Sequence, residues 1–330
     1  MNIYDIAEEA GVSISTVSRV LNNKSRVKKE TREKVEEILK KHGYKPSQVA
    51  RGLATKSTKT IGVMVVDMRV MHYANTTYVV EQELSRLGYT AIVCNTGGLE
   101  EENLRYLNLL HDQQVDGLVL VGSVFETLAE LPEAVEILNK TPFVIANGEI
   151  GLEGACSVLV DDPAGARLAV QHLYEKGHRG IYYVQDMNTH SAKRKAAGFA
   201  EAMEALGLPG KERILKAEYG LDGGRKLGAE VAKNRKKKKI TALVFGEDDT
   251  AIGAMNELLR AGVRVPEEVA VTGFNNSICT RMCSPALTSV DNRCRMVGEY
   301  CVKILSARIE HEETPASVLV RPVLDVKESS

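Results

Sequence analysis

The sequence predicts a small all-α head followed by an α/β body built as two similar halves. Three observations carry this expectation. Helical periodicity with glycine stops fills the first sixty or so of the 330 residues. From Lys59 onward, short apolar runs alternate with helical stretches. That alternation occurs twice, from about residue 60 and again from about residue 180. The length suits two or three domains, and 44% hydrophobic with 26% charged residues is the composition of a soluble globular chain.

In the head, Asn2 caps a first helix in which Asp5 complements the N-terminal dipole and Ile3, Ile6, Ala7 and Ala10 form one face. Gly11 ends it, because glycine accepts the left-handed backbone of a tight exit. Ser13 caps a second helix, Ile14 to Leu21, which buries Val17, Val20 and Leu21 and turns Ser15, Thr16, Ser18 and Arg19 outward. A third helix spans about Lys29 to Lys41, with Val35, Ile38 and Leu39 inward and Gly43 closing it. Two helices joined by a three-residue glycine turn match the helix-turn-helix, whose second helix enters a DNA major groove. Hydroxyls there bond bases or phosphates, and Arg grips guanine. An ordinary helical hairpin has the same local pattern. The charge is uneven as well: residues 1–60 hold 13 Lys and Arg against 7 Asp and Glu, and the remainder holds 30 against 37. A basic head on an acidic body suits a polyanionic partner, a solvated charged helix being the plainer reading.

After Pro46, Ser47 caps a very short segment, Gln48 to Ala54, that includes Gly52. Seven residues do not hold a helix alone in water, so this stretch reads as a linker that folds on binding. Leu53 is an apolar side chain of the kind that wedges between base steps in the minor groove. A plain inter-domain linker is the alternative.

In the body, the strand-like runs are Ile61–Val66, Thr90–Cys94, Gly117–Val121, Phe143–Ala146, Ile181–Val184, Ala242–Phe245, Val269–Thr272 and Val318–Val320. Helical stretches Tyr78–Leu87, Glu101–Asp112, Gly165–Lys176, Ala196–Leu206 and Asp249–Ala261 lie between them. Two open α/β halves of this flavodoxin-like kind place a ligand cleft between the carboxyl ends of their strands. Asp67, His72 and Tyr73 follow the first strand, and Asn147 follows the fourth. Glu247, Asp248 and Asn275 stand at corresponding places in the second half. Donors, acceptors and an aromatic platform suit a small polyol or sugar. The basic run "NRKKKKI", Asn234 to Ile240, reads as a solvated loop. Asp161-Asp162, before Pro163 and Gly165, reads as a helix cap. Six scattered Cys form no Cys-x-x-Cys and have no His at ligand spacing, so free thiols in a reducing cytoplasm are expected and a metal is not.

The stretches "IYDIAEEAGVSISTVSRVLNN", "TREKVEEILKKHGYKPSQVARGLATKST" and "IGVMV" resemble the N-terminal module of the lactose-repressor (LacI/GalR) family, most like its catabolite-control and purine-repressor branch. The resemblance covers the whole chain and is most specific in the first 62 residues. It implies a head over residues 1–45, a hinge over 46–59 and an effector-binding, dimerising body over 60–330 that is periplasmic-binding-protein-like. The body would divide into 60–160 with 291–319 and 161–290 with 320–330, the chain crossing near Val160–Asp162, Ser289–Asn292 and Leu319–Pro322. The same resemblance implies a homodimer on a near-palindromic double-stranded DNA operator. Ile14, Ser15, Thr16 and Arg19 would face bases, Ser18 and Asn22 would lie near phosphates, and Ala50 and Leu53 would enter the minor groove. The resemblance also adds Lys195 and Tyr219 to the residues expected at the cleft. Three departures stand out. Relatives mostly carry Arg at Lys195, and they usually show Asn-Asp near Glu247-Asp248 and an acid at Asn275. The family's usual effectors therefore do not transfer directly.

The function expected is a sequence-specific transcription regulator, read as a repressor, under allosteric control by a sugar-like small molecule. Members like the catabolite control proteins can instead take a phosphorylated phosphocarrier protein. A transport-type sugar-binding protein is the rival reading of the body alone. The start "MNIYD" lacks a signal peptide's basic and apolar segments, and no apolar run approaches the 18 residues of a membrane span, so a cytoplasmic protein with no membrane partner is expected. The chain shows no Gly-x-Ser-x-Gly, Walker loop, His-Glu-x-x-His or Gly-x-Gly-x-x-Gly opening a helix, so neither an enzyme nor a cofactor is expected.

Overall fold

The computed structural model describes residues 3–21, 27–43 and 57–330. The head contains α1 (Ile3–Ala10), α2 (Ile14–Leu21) and α3 (Lys29–Lys41). Ile6, Ala7, Ala10, Val17, Val20, Val35 and Ile38 form its small core, with Ile3, Leu21 and Leu39 packed at the rim. Gly11 takes φ +66° between the first two helices, a region that costs a side chain energy. Ser13 starts α2: its hydroxyl accepts from the Thr16 amide at 3.3 Å. The Asn22, Ala50 and Leu53 positions and the Gln48–Ala54 segment lie outside the described residues.

The body begins with β1 (Thr60–Val65), α4 (Met71–Arg86), β2 (Thr90–Asn95), α5 (Glu100–Asp112), β3 (Gly117–Val121), α6 (Pro132–Lys140), β4 (Phe143–Ala146) and β5 (Cys156–Val160). It continues through α7 (Asp162–Glu175), β6 (Ile181–Gln185), α8 (His190–Ala205), β7 (Ile214–Lys216), α9 (Gly220–Lys238), β8 (Ala242–Phe245), α10 (Asp248–Arg260), β9 (Ala270–Phe274) and β10 (Thr288–Asp291). It ends with α11 (Cys294–Ile309), β11 (Ser317–Val320) and β12 (Val323–Asp325).

Two six-stranded sheets result, ordered β11-β5-β4-β3-β1-β2 and β12-β10-β9-β8-β6-β7. The first is parallel throughout, and the second is parallel except for the antiparallel edge pair β10–β12. Within each, the first five strands of that half run 2-1-3-4-5, the flavodoxin-like order. Runs such as GLVLV in β3 and ALVF in β8 are buried throughout because helices cover both faces. The chain passes between sheets after β5, after β10 and after β11. β10 reaches Asp291 and β11 reaches Val320, each one residue past the limit read from sequence, because ladder partners and not hydropathy set the strand ends.

Several elements depart from the sequence reading. β5, β7, β10 and β12, with α6, α9 and α11, went unread. α4 starts at Met71 rather than Tyr78, so the polar "HYANTT" is helical. The Asn234–Ile240 run is no loop: through Lys238 it is the last turn of α9, where lysines complement the helix dipole, and Lys239 turns left-handed at φ +54° to stop it. The six cysteines are free thiols, Cys94, Cys156 and Cys301 being buried. Among the described residues no helix is long and apolar enough to cross a membrane.

Candidate functional site

Two surfaces concentrate polar side chains without a structural excuse. The first is the outer side of α2. Val17 and Val20 turn inward to the head core, leaving Ile14, Ser15 and Arg19 exposed and Thr16 and Ser18 half-buried. The Ser13 hydroxyl lies 2.8 Å from the Ser15 hydroxyl and 2.9 Å from that of Thr16, which orders the first turn. An exposed helix face of hydroxyls and one guanidinium, held rigid by a packed back, has the size and chemistry that a DNA groove accepts.

The second is the cleft between the sheets, where the carboxyl ends of the strands meet. Glu247, at the turn from β8 into α10, is its centre. Its Oε1 accepts from the Lys195 ammonium at 3.2 Å, and its Oε2 accepts from the Asn275 amide at 2.7 Å. His72 Nδ1, reaching across from α4, lies 3.5 Å from Glu247 and 3.2 Å from Asn275. Lys195 also donates to the Gly246 carbonyl at 2.9 Å and sits 4.1 Å from the centre of the Phe274 ring. Burial alone would push the Glu247 carboxyl up, but Lys195 and then His72 outweigh it and hold it at about 2. Burial likewise opposes the Lys195 charge, and Glu247, Asp162 and Asp186 restore it, leaving the ammonium above its ordinary range.

The remaining expected residues divide. Asn147, left-handed at the end of β4, bonds the Ser191 hydroxyl at 3.4 Å. Tyr219 is half-exposed beside the cleft, its hydroxyl donating to Asp249 at 3.3 Å. Tyr73 is buried in the first sheet's core, its ring 4.0 Å from that of His72, so it packs rather than presents a platform. Asp248 borders the cleft, and its carboxyl accepts from the Ser277 amide at 2.7 Å and the Ser289 hydroxyl at 2.6 Å; burial raises it to about 7. Asp67 is held by its neighbour Arg69 and is not joined to this group.

Sequence reasoning missed a second set. Asp161 does cap α7 through the Ala164 amide, but Asp162 is buried in the cleft and accepts from the Ser191 hydroxyl at 2.7 Å and from Arg194 at 3.3 Å. Glu126, on a 3-10 turn of the first half, pairs with His190 and Arg194 of α8 in the second. Asp186 directly follows β6, so the strand-end rule that found Glu247 would have found it too. With His72 on one side of the cleft and Glu126 on the other, the halves are held together. The space left among His72, Tyr219, Glu247, Asp249, Asn275 and their neighbours is about 10 Å³, room for one water at most.

Comparison with known proteins bears on both surfaces. A family model of bacterial regulatory proteins, lacI family, matches residues 2–47, and one for a periplasmic binding protein-like domain matches residues 170–330. An HTH-type transcriptional regulator of Lachnoclostridium phytofermentans is 34% identical over 309 residues, covering 93% of this chain and 91% of its own. Catabolite control protein A of Priestia megaterium is 33% identical over 330 residues, covering 98% and 96%. Among solved structures, a complex of the transcriptional regulator CelR with cellobiose superposes with a TM-score of 0.73 at 26% identity, covering all of both chains.

Proposed function

The chain belongs to the lacI family of bacterial regulatory proteins, and from that premise we propose that α2 reads a DNA operator while a sugar-like effector in the cleft sets how tightly it does so. A DNA-binding transcriptional regulator with a ligand-binding α/β body is what such a chain is. The observation that carries the finer reading is the outward face of α2, polar and exposed over a packed core. Ile14, Ser15, Thr16 and Arg19 face bases, and Ser18 with Asn22 faces phosphates. Ala50 and Leu53 enter the minor groove.

Two copies of the chain act together on a near-palindromic site, setting their α2 helices about one helical turn apart. Exposed Leu221, Ile278 and Met282 supply apolar surface for a second copy to cover. The effector's hydroxyls replace the contacts that Lys195, Glu247, Asn275 and His72 now make with one another. Because the His72 contacts with Glu247 and Asn275 join the two halves, a ligand that replaces them shifts the halves and, through the hinge, the DNA-binding heads. Effector and operator affinities are then linked reciprocally.

Selection of bound duplexes from a random pool, with and without a panel of sugars, tests this reading. An enriched palindrome that one sugar releases or tightens supports it. Enrichment that no sugar alters would keep the DNA-reading role and point to a protein co-regulator, a phosphorylated phosphocarrier protein being the candidate. No enrichment would refute the DNA-reading role of α2 and leave a transport-type sugar binder.

A further inference from the structure

The charges of the cleft do not balance, and the imbalance has an address. Lys195 and Glu247 neutralise each other, and Asp162 has Arg194. Asp186 is bonded to no cation among the described residues. It is 8% exposed, and its Oδ2 has no hydrogen-bond partner among the described residues; the same holds for the buried Tyr183 hydroxyl and for Asp162 Oδ1. The Tyr183 hydroxyl and the Asp186 carboxyl converge in a recess beside Gly246. A methyl placed on Gly246 would meet the Tyr183 hydroxyl at 2.9 Å and Asp186 Oδ1 at 3.1 Å, and the carbonyl of Gly246 is the one that holds Lys195. The recess therefore lies beside Glu247, at the carboxyl ends of β6 and β8, where a ligand between the halves would rest.

The groups facing Asp186 are Glu247 from the β8–α10 turn, Lys195 from α8, Thr250 from α10, Tyr183 from its own strand and Tyr219 from the start of α9. Burial first, and repulsion from Glu247 second, push its carboxyl up to about 7, with the Thr250 hydroxyl and Lys195 giving partial relief. A buried carboxylate without a bonded cation costs several kcal/mol, so it keeps its proton until a positive group arrives. A phosphorylated effector would add negative charge to this recess. A neutral hydroxyl would share a hydrogen bond with the protonated carboxyl and displace no proton, whereas an ammonium would stabilise the ionised form.

Resting on the reading of the cleft as the effector site, we propose that Asp186, with Tyr183 and Glu247, receives a protonated amine, so that the effector is an amino-substituted sugar or polyol. Amine binding displaces the Asp186 proton to solvent, which makes the class of ligand measurable without knowing its stereochemistry.

The test is calorimetry on the full chain with glucose, glucosamine and glucose 6-phosphate, and with the galactose and mannose counterparts of each. At least one amino sugar is expected to bind about tenfold or more tightly than its neutral and phosphorylated parents. At about pH 6 its binding is expected to release close to one proton, read from the dependence of the heat on the buffer. Asp186→Asn should erase both the preference and the proton release. The wild-type proton count stands by itself if that variant fails to fold. A neutral or phosphorylated sugar bound as tightly as any amino sugar overturns the amine assignment but leaves the cleft as effector site. Binding of no saccharide, with operator binding intact, overturns both.

Discussion

Asn275→Asp is the sharpest probe of the cleft, since it exchanges one atom and reverses one interaction. The Asn275 amide donates to Glu247 Oε2 at 2.7 Å, and its carbonyl accepts from the Asn292 amide at 2.9 Å. A new carboxyl at this position sets an oxygen against the ionised Glu247. Both residues follow strands of the second sheet, so opening the cleft does not separate them. At an effective dielectric of about 20, two unit charges roughly 3 Å apart repel by about 5 kcal/mol. The variant avoids this by taking up a proton, which donates to Glu247 as the amide did. Protonating a carboxyl of ordinary value near 4 costs about 1.4 kcal/mol for each pH unit above it. The penalty is then about 1.5 kcal/mol at pH 5 and about 5 kcal/mol at pH 7.5. The sign follows from a folded value raised above the unfolded one: the stability is intact below about pH 4 and is lost as pH rises. Glu247 itself, held at about 2, stays ionised across this window. Denaturant unfolding of both proteins at the two pH values should show the stability gap widening by about 3 kcal/mol. A gap that does not change with pH would refute the placement of the Asn275 amide against the Glu247 carboxylate.

Three further outcomes follow from other parts of the molecule. Arg19→Ala should cost about 1–3 kcal/mol on the preferred operator and flatten discrimination among base substitutions in a binding assay, and unchanged specificity would remove Arg19 as a base reader. Lys195→Met leaves Glu247 and Asp162 buried without their shared cation; a loss of about 3–5 kcal/mol in unfolding free energy at neutral pH is expected, together with loss of effector binding. A Lys195→Met protein as stable as wild type would show that the pair is not buried as described. Gly224→Ala would drive a methyl into the Thr250 carbonyl and to 2.8 Å from the Ala254 amide, where α9 and α10 touch through their backbones. A thermal midpoint unchanged from wild type would contradict that contact, since about 1–3 kcal/mol of overpacking is expected.

What the sequence determined by itself is what repeats locally. The inward face of α2 at Val17 and Val20, the stop at Gly11 and the outward Ser15 and Arg19 follow from a period of 3.6 residues and a glycine. Runs such as Phe143–Ala146 and Ala242–Phe245 identified buried parallel strands, because a strand covered on both faces has no polar side to confuse the signal. β7 and β12 were illegible for the opposite reason: they are three-residue edges without a buried face, and β6 and β10 define them as strands. α9 hid its helix behind glycines that only its packing on α10 explains. The strand-end rule named Glu247 and Asn275, and the family resemblance Lys195, as neighbours of a cleft, but not as partners of one another. The His72–Asn275 contact spans 203 residues of chain, and no local pattern encodes such a distance. Tertiary structure alone decided that Asp186 is buried beside Glu247 with no cation bonded to it among the described residues, while Asp67, at the equivalent strand end of the first half, is satisfied by Arg69. Burial and partnership are properties of the folded surroundings, and they determine what a carboxylate at the end of a strand can do.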